Sequence, residues 1–201
     1  METLTRTWNL ESASSYLLRH CNSYSRFPTL LSMADEIVDD EGNYDHTAWL
    51  KVLGENWSVC DNIGMFTEEL EETLDWTGRL NTPCPEMMND EEQAAYDALP
   101  DTVVIYRGCY AVNKWGFSWS LSRDVAAKFP FLGRYCRRDE QALLVKARVR
   151  KENIMAVCLG RNEQEIITYN PKHISTSHLK NPDTFDKALC AAHATHKPME
   201  K

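Results

Sequence analysis

The stretch Thr102–Gly108, TVVIYRG, divides the chain. It is β-branched and aromatic and reads as a strand that closes on an arginine and a glycine. The patterns ahead of it are helical. Ile63, Phe66, Leu70 and Leu74 recur at helical spacing, with Glu68, Glu69, Glu71 and Glu72 on other faces. Shorter helices are expected over Ser12–His20, Thr29–Val38 and Thr47–Leu53. NTPCPEMMND, Asn81–Asp90, is a break with two prolines. Asp90 then reads as the N-cap of a helix over EEQAAYDAL, Glu91–Leu99, which Pro100 stops.

Beyond Gly108 the pattern is mostly extended. GFSWSLS (Gly116–Ser122), ALLVKARVR (Ala142–Arg150), NIMAVCLG (Asn153–Gly160) and EQEIITYN (Glu163–Asn170) are strand candidates. RDVAAKF, Arg123–Phe129, reads as one or two helical turns capped by Ser122. The expected class is α+β: a helical region over residues 1–90, a β-rich region over 91–185, and a weakly helical, polar tail over 186–201. His193 and His196 in that tail stand three apart, but no third ligand for a metal is near.

With 43% hydrophobic residues in 201, the chain can bury a proper core. The formal net charge of -8 argues against a general nucleic-acid binder, which needs a basic face for phosphates. One local exception is the group Arg134, Arg137, Arg138, Lys146, Arg148, Arg150 and Lys151, a solvated face or a contact for phosphate or an acidic partner. Seven cysteines form no C-x-x-C pair, the N-terminus has no apolar leader, and no run reaches membrane-spanning length. A reducing cytoplasm with free thiols is the expected setting, with no membrane partner. Asn56-Trp57-Ser58 matches a glycosylation acceptor, which carries no weight without a secretory signal.

Three pieces of the β-rich region carry chemistry. In IYRG, Arg107 offers a planar fork suited to a pyrophosphate, and Gly108 lets a ligand approach the backbone. On a strand, Ser118 and Ser120 share one face and Trp119 takes the other. On an extended backbone Glu163 and Glu165 also share a face, with Gln164 pointing away. Two like charges that close are mutually costly, which an ordinary strand has little reason to accept. Each piece alone also suits a plain surface strand; their order is the more telling signal.

Arginine, then Ser-x-Ser, then Glu-x-Glu, each at a strand, resembles the mono-ADP-ribosyltransferases of the Arg-Ser-Glu class. The likeness covers about residues 91 to 170 and is greatest to small phage and bacterial members, which include anti-CRISPR proteins. It implies an ADP-ribosyltransferase-like split β-sheet and NAD as co-substrate, with no metal. It assigns Arg107 to the NAD phosphates and ribose, and Ser118 and Ser120 to the nicotinamide pocket. It makes Glu165 the catalytic carboxylate, oriented by Ser120, and gives Glu163 the acceptor. Gly108 is expected to face the nicotinamide amide, and Trp119 and an aromatic of KFPFLGRY such as Phe129 to wall the pocket. The implied reaction moves ADP-ribose to an arginine or other nitrogen nucleophile on a protein of a host or defence system. An NAD glycohydrolase and an inactive binding module of the same fold are the alternatives. Trp119 stands where the family usually has threonine, and only ten residues separate Arg107 from Ser118, so any donor-binding loop there is short.

Overall fold

A computed structural model describes residues 7–132, 135–137, 139–160 and 164–180. It is α+β, with six helices and one six-stranded antiparallel sheet among those residues. The helices are α1 (Leu10–His20), α2 (Arg26–Ser32), α3 (His46–Trp57), α4 (Thr67–Trp76), α5 (Asp90–Asp97) and α6 (Arg123–Lys128). The strands are β1 (Thr102–Cys109), β2 (Ser118–Ser120), β3 (Leu143–Arg150), β4 (Ala156–Cys158), β5 (Glu165–Ile167) and β6 (Lys172–His178), in the order β4-β5-β2-β1-β3-β6.

Local chemistry explains most of these bounds, including those that depart from the expectations. Asn89, not Asp90, caps α5: its side chain accepts from the backbone N–H groups of Glu91 and Glu92, and Glu92 reciprocates to the Asn89 N–H. The helix expected over Thr29–Val38 lies earlier, at Arg26–Ser32, with Pro28 tolerated in its first turn. Beyond it, β-branched Ile37 and Val38 turn extended and bridge to Trp8 and Tyr44. The single helix expected through Ile63 and Leu74 divides into a 3-10 turn, Ile63–Met65, and α4. Ser122 caps α6 as expected, its hydroxyl accepting from Val125 N–H at 3.3 Å. Strand β6 was not foreseen; KHISTSH is polar apart from Ile174, every residue of it is exposed, and it forms a sheet edge. The weak helix expected in the tail, with His193 and His196, lies outside the described residues.

Two cores flank the sheet. One joins Ile105, Val145, Ala147, Val149, Val157 and Ile166 to Tyr96 of α5. The other joins the helices, through Phe27, Leu30, Trp49, Leu53, Leu70 and Leu74, to Phe117, Met155, Ala156 and Ile167 from the strand region. That second core runs without interruption across residue 90. Residues 7–100 carry 19 Asp and Glu against 4 Lys and Arg, whereas residues 101–180 carry 7 against 14, so an acidic helical layer lies against a basic sheet layer. Part of the basic face is locally neutralised: Arg137 pairs with Glu140 at 2.7 Å and Arg150 with Glu152 at 2.9 Å, while Lys151 donates to the Asp97 carbonyl. Arg134 and Arg138 lie outside the described residues.

The middle of the sheet is thin. β1 meets β3 through eight register pairs but meets β2 through one, Tyr106 with Ser120. The sheet is therefore two three-stranded groups, β4-β5-β2 and β1-β3-β6, hinged at that pair.

Tyr169, just beyond β5, ties the helical layer to the sheet. Its ring stacks on Phe117 and its hydroxyl donates to Glu71 of α4 at 2.5 Å. The bond to Glu71 pushes the phenol up to about 12 from its usual value near 10, because it favours the protonated form. The contribution of a raised group is full below its unfolded pKa and is lost as pH rises through its folded one. Tyr169→Phe is expected to cost about 0.5–1.5 kcal/mol at neutral pH by urea denaturation. The gap between wild type and variant should narrow as pH rises from about 10 to about 12.

Candidate functional site

The expected site residues on either side of the hinge converge on one cleft of about 580 Å³. Arg107 and Gly108 from β1, Ser118, Trp119 and Ser120 from β2, Phe129 after α6, and Glu165 from β5 all border it. Glu163 lies outside the described residues. The opposite wall, unforeseen in the sequence, comes from the helical layer: Tyr24, Trp57, Ser58 and the segment Cys60–Met65.

Arg107 is half-buried with its charged end enclosed. Nη1 donates to the Ser118 carbonyl at 2.5 Å, while Nε and Nη2 donate to the Asn113 carbonyl, each at 3.3 Å. The guanidinium has five N–H groups, so two have no partner among the described residues. Burial pulls its pKa down from the ordinary value, and the neighbouring Cys109 and Glu165 act in the opposite sense. Gly116 lies against it: a Cβ there would stand 2.8 Å from Nη2. The short connection from Asn113 to Ser118 is thus wrapped on a buried cation.

Gly108 has a different use from the one expected. A Cβ at Gly108 would stand 1.9 Å from the Ala126 carbonyl and 2.7 Å from Pro130, so the missing side chain admits the end of α6 against β1. Trp119 borders the cleft, but its indole is buried in the core that joins the sheet to Tyr96 of α5, and it donates to the Gly116 carbonyl at 2.8 Å. Phe129 stacks loosely on Tyr135, ring centroids 6.0 Å apart, and both border the cleft.

Ser118 and Ser120 share a face, as expected, and Trp119 takes the other. Ser120 is the register partner of Glu165, and its Oγ accepts from the Ser122 N–H at 3.0 Å. Glu165 is buried, a costly place for a carboxylate unless it is hydrogen-bonded. Its Oε1 accepts from the indole Nε1–H of Trp57 at 3.0 Å, across 108 residues of sequence. Cys158, the β4 partner of Glu165, has its thiol pushed up to about 12, chiefly by burial and then by the Glu165 charge, so it stays protonated near neutral pH. The extended backbone expected through Gln164 is not present. Gln164 has φ 47°, a left-handed conformation, and Glu163 lies outside the described residues.

The site combines an enclosed guanidinium, two hydroxyls on one strand face and a buried, oriented carboxylate. Comparison of the chain with family models, curated proteins and solved structures finds no match. Among the described residues no helix is long and apolar enough to cross a membrane, and no three His, Cys, Asp or Glu side chains gather to hold a metal ion.

Gly108→Ala is expected to destabilise the fold by about 1–3 kcal/mol or more, because the obstacle is backbone and not a flexible side chain. Gly64→Ala, at another cleft-lining glycine with nothing within 4 Å of its Cβ position, should change stability by less than about 0.5 kcal/mol. Thermal or urea unfolding of both variants checks the contrast.

Proposed function

We propose that the cleft binds NAD and that the protein transfers ADP-ribose from it to a nucleophilic side chain of a target protein. One observation carries the reading: Arg107, Ser118, Ser120 and Glu165, drawn from three separate parts of the sequence, border a single cleft. Its volume of about 580 Å³ falls within the ordinary range for small-molecule and cofactor sites. The residues suit a dinucleotide in kind, supplying a cation for a pyrophosphate, hydroxyls for polar groups and a carboxylate beside the sugar.

In this reading NAD supplies the ADP-ribosyl group when the bond from its anomeric carbon to nicotinamide breaks. Nicotinamide leaves with the bonding electron pair, and a nitrogen of the acceptor forms the new bond to that carbon. The chain's residues do the rest. Arg107 keeps the Asn113–Ser118 connection folded with three of its hydrogen bonds and has two N–H groups for a phosphate. Glu165 faces the positive charge that develops at the anomeric carbon, as carboxylates do in glycosyl transfer, and already has its donor in place. Ser120 fixes β2 against Glu165, and Ser118 offers its hydroxyl to the donor. Glu163 is assigned to the acceptor, whose proton it takes as the bond forms. The acidic helical layer beside the cleft favours a target whose docking face is basic.

The test incubates the protein with labelled NAD and bacterial lysate, following both protein-bound label and free nicotinamide. Wild type is expected to label a protein band. Glu165→Ala should lower labelling by at least about a hundredfold, the scale for losing one preorganised electrostatic stabiliser. Equal labelling by the two would overturn the assignment of Glu165. Nicotinamide release without a labelled band would make water the acceptor.

A further inference from the structure

Trp57 of the helical layer reaches the candidate catalytic carboxylate. Trp57 is the last residue of α3 and is 2% exposed. Its indole N–H ends on Glu165 Oε1 at 3.0 Å. The ring is not free to choose another direction. Phe27 of α2 meets it edge-on, centroids 6.3 Å apart. The Trp57 carbonyl accepts from the Cys60 N–H at 3.3 Å, which turns the chain sharply after α3. That turn is fastened to the α2 region: Arg26 donates to the Val59 carbonyl at 3.1 Å, and the Asp61 N–H donates to the Ser23 carbonyl at 3.1 Å. From the sheet side, Gly160 leaves room for Ser58, whose Cβ would lie 2.9 Å from a Cβ at that position.

A tryptophan inside a core usually satisfies its N–H on a carbonyl, as Trp49 does on Leu30 and Trp119 on Gly116. Trp8 gives its N–H to the Glu36 carboxylate at 2.8 Å, away from the cleft, whereas the carboxylate that Trp57 meets lies on the cleft wall. That bond favours the ionised form and holds one carboxylate oxygen still. Both effects serve a group that must be charged and aimed before its partner charge develops.

We propose that Trp57 is a positioning residue for Glu165, so that the helical layer completes the catalytic site. The inference rests on the NAD-transferase reading for its catalytic consequence and on the structure alone for the pairing.

The decisive variants remove the N–H and keep the ring. Trp57→Phe does so with some loss of volume. 3-Benzothienylalanine installed at position 57 replaces N–H by sulfur at nearly unchanged shape, which guards against a variant that fails to fold. Steady-state NAD turnover is measured across pH for these, for wild type and for Glu165→Ala. Both substitutions are expected to lower kcat on the order of ten- to a hundredfold, the loss of one hydrogen bond to a charged group. The KM for NAD should stay within about twofold, since the effect falls on aim and ionisation and not on binding. The acid limb of the kcat profile should move to higher pH, because the ionised carboxylate has lost its donor. Two ionisable neighbours of Glu165 do not titrate in that limb: the Cys158 thiol is pushed up to about 12, and a guanidinium such as that of Arg107 keeps its charge. An unchanged kcat and acid limb, with Glu165→Ala inactive, would overturn the role of Trp57 and leave the functional reading standing. No turnover by wild type would overturn the functional reading instead. In that event the Glu165 carboxyl, titrated by carbon NMR in wild type and Trp57→Phe, decides the pairing: an upward shift supports it and an unmoved titration overturns it.

Discussion

A buried guanidinium has to find acceptors, and Arg107 finds them in the backbone. Its charge lies beneath the thin middle of the sheet, where β1 and β2 share only the pair Tyr106 and Ser120. The carbonyls of Asn113 and Ser118 turn toward it, and Gly116 gives it room. The connection between the two strands therefore takes the shape of the arginine. Strand β2 then starts where that carbonyl leaves it, and the register of β2 on β5 sets Ser120 opposite Glu165. A chain of backbone geometry runs from one cation to the carboxylate on β5. An apolar side chain of similar size would remove these donors from both carbonyls, at a cost typical of orphaned buried polar groups.

The cleft has a second origin in the packing of the helices. Phe117, Met155, Ala156 and Ile167 bury against Trp49, Leu53 and their neighbours in one core. This core is why the helical layer belongs to the site and is more than an appendage. The close fit of α3 on the turn at Pro85–Met87 has the same character, since a Cβ on Gly54 would stand 2.1 Å from the Met87 carbonyl. Opposed charge on the two layers adds attraction across the junction, which is weaker than the apolar contacts and screened by salt. The apolar contacts determine which layer meets which, and the hydrogen bonds of Trp57 and Tyr169 set how they are aligned.

Much of this was legible residue by residue. The β-branched run at Thr102 gave β1, and Ser-x-Ser gave the face shared by Ser118 and Ser120, because a short alternating strand has few other options. Helix ends were read less well. Asn89 outcompeted Asp90 as a cap because its neighbour three residues on, Glu92, completes the reciprocal pair. The edge strand β6 has no apolar alternation to betray it, since neither of its faces is buried. The turn at Gln164 escaped because its left-handed φ carries no glycine marker. Trp57 had no local signal at all; a hydrogen bond between residues 108 apart is a property of tertiary packing. The same is true of Gly108, where the composition reads as an open approach for a ligand and the fold fills the space with α6.

The order in which these parts leave a ribosome has a consequence. Helices α1 to α4 and the indole of Trp57 are synthesised before any strand, and β5, with Glu165, comes late. A nascent chain folds its early part first as synthesis proceeds. The residues of the helical wall are thus made before the carboxylate, and β5 takes its place between β4 and β2 once both are made or being made. A fragment ending short of residue 165 lacks the carboxylate, and one that starts after residue 57 lacks the indole that donates to it. Incomplete chains of either kind lack part of the cleft's lining, so the cleft belongs to the assembled fold and to no single segment of it.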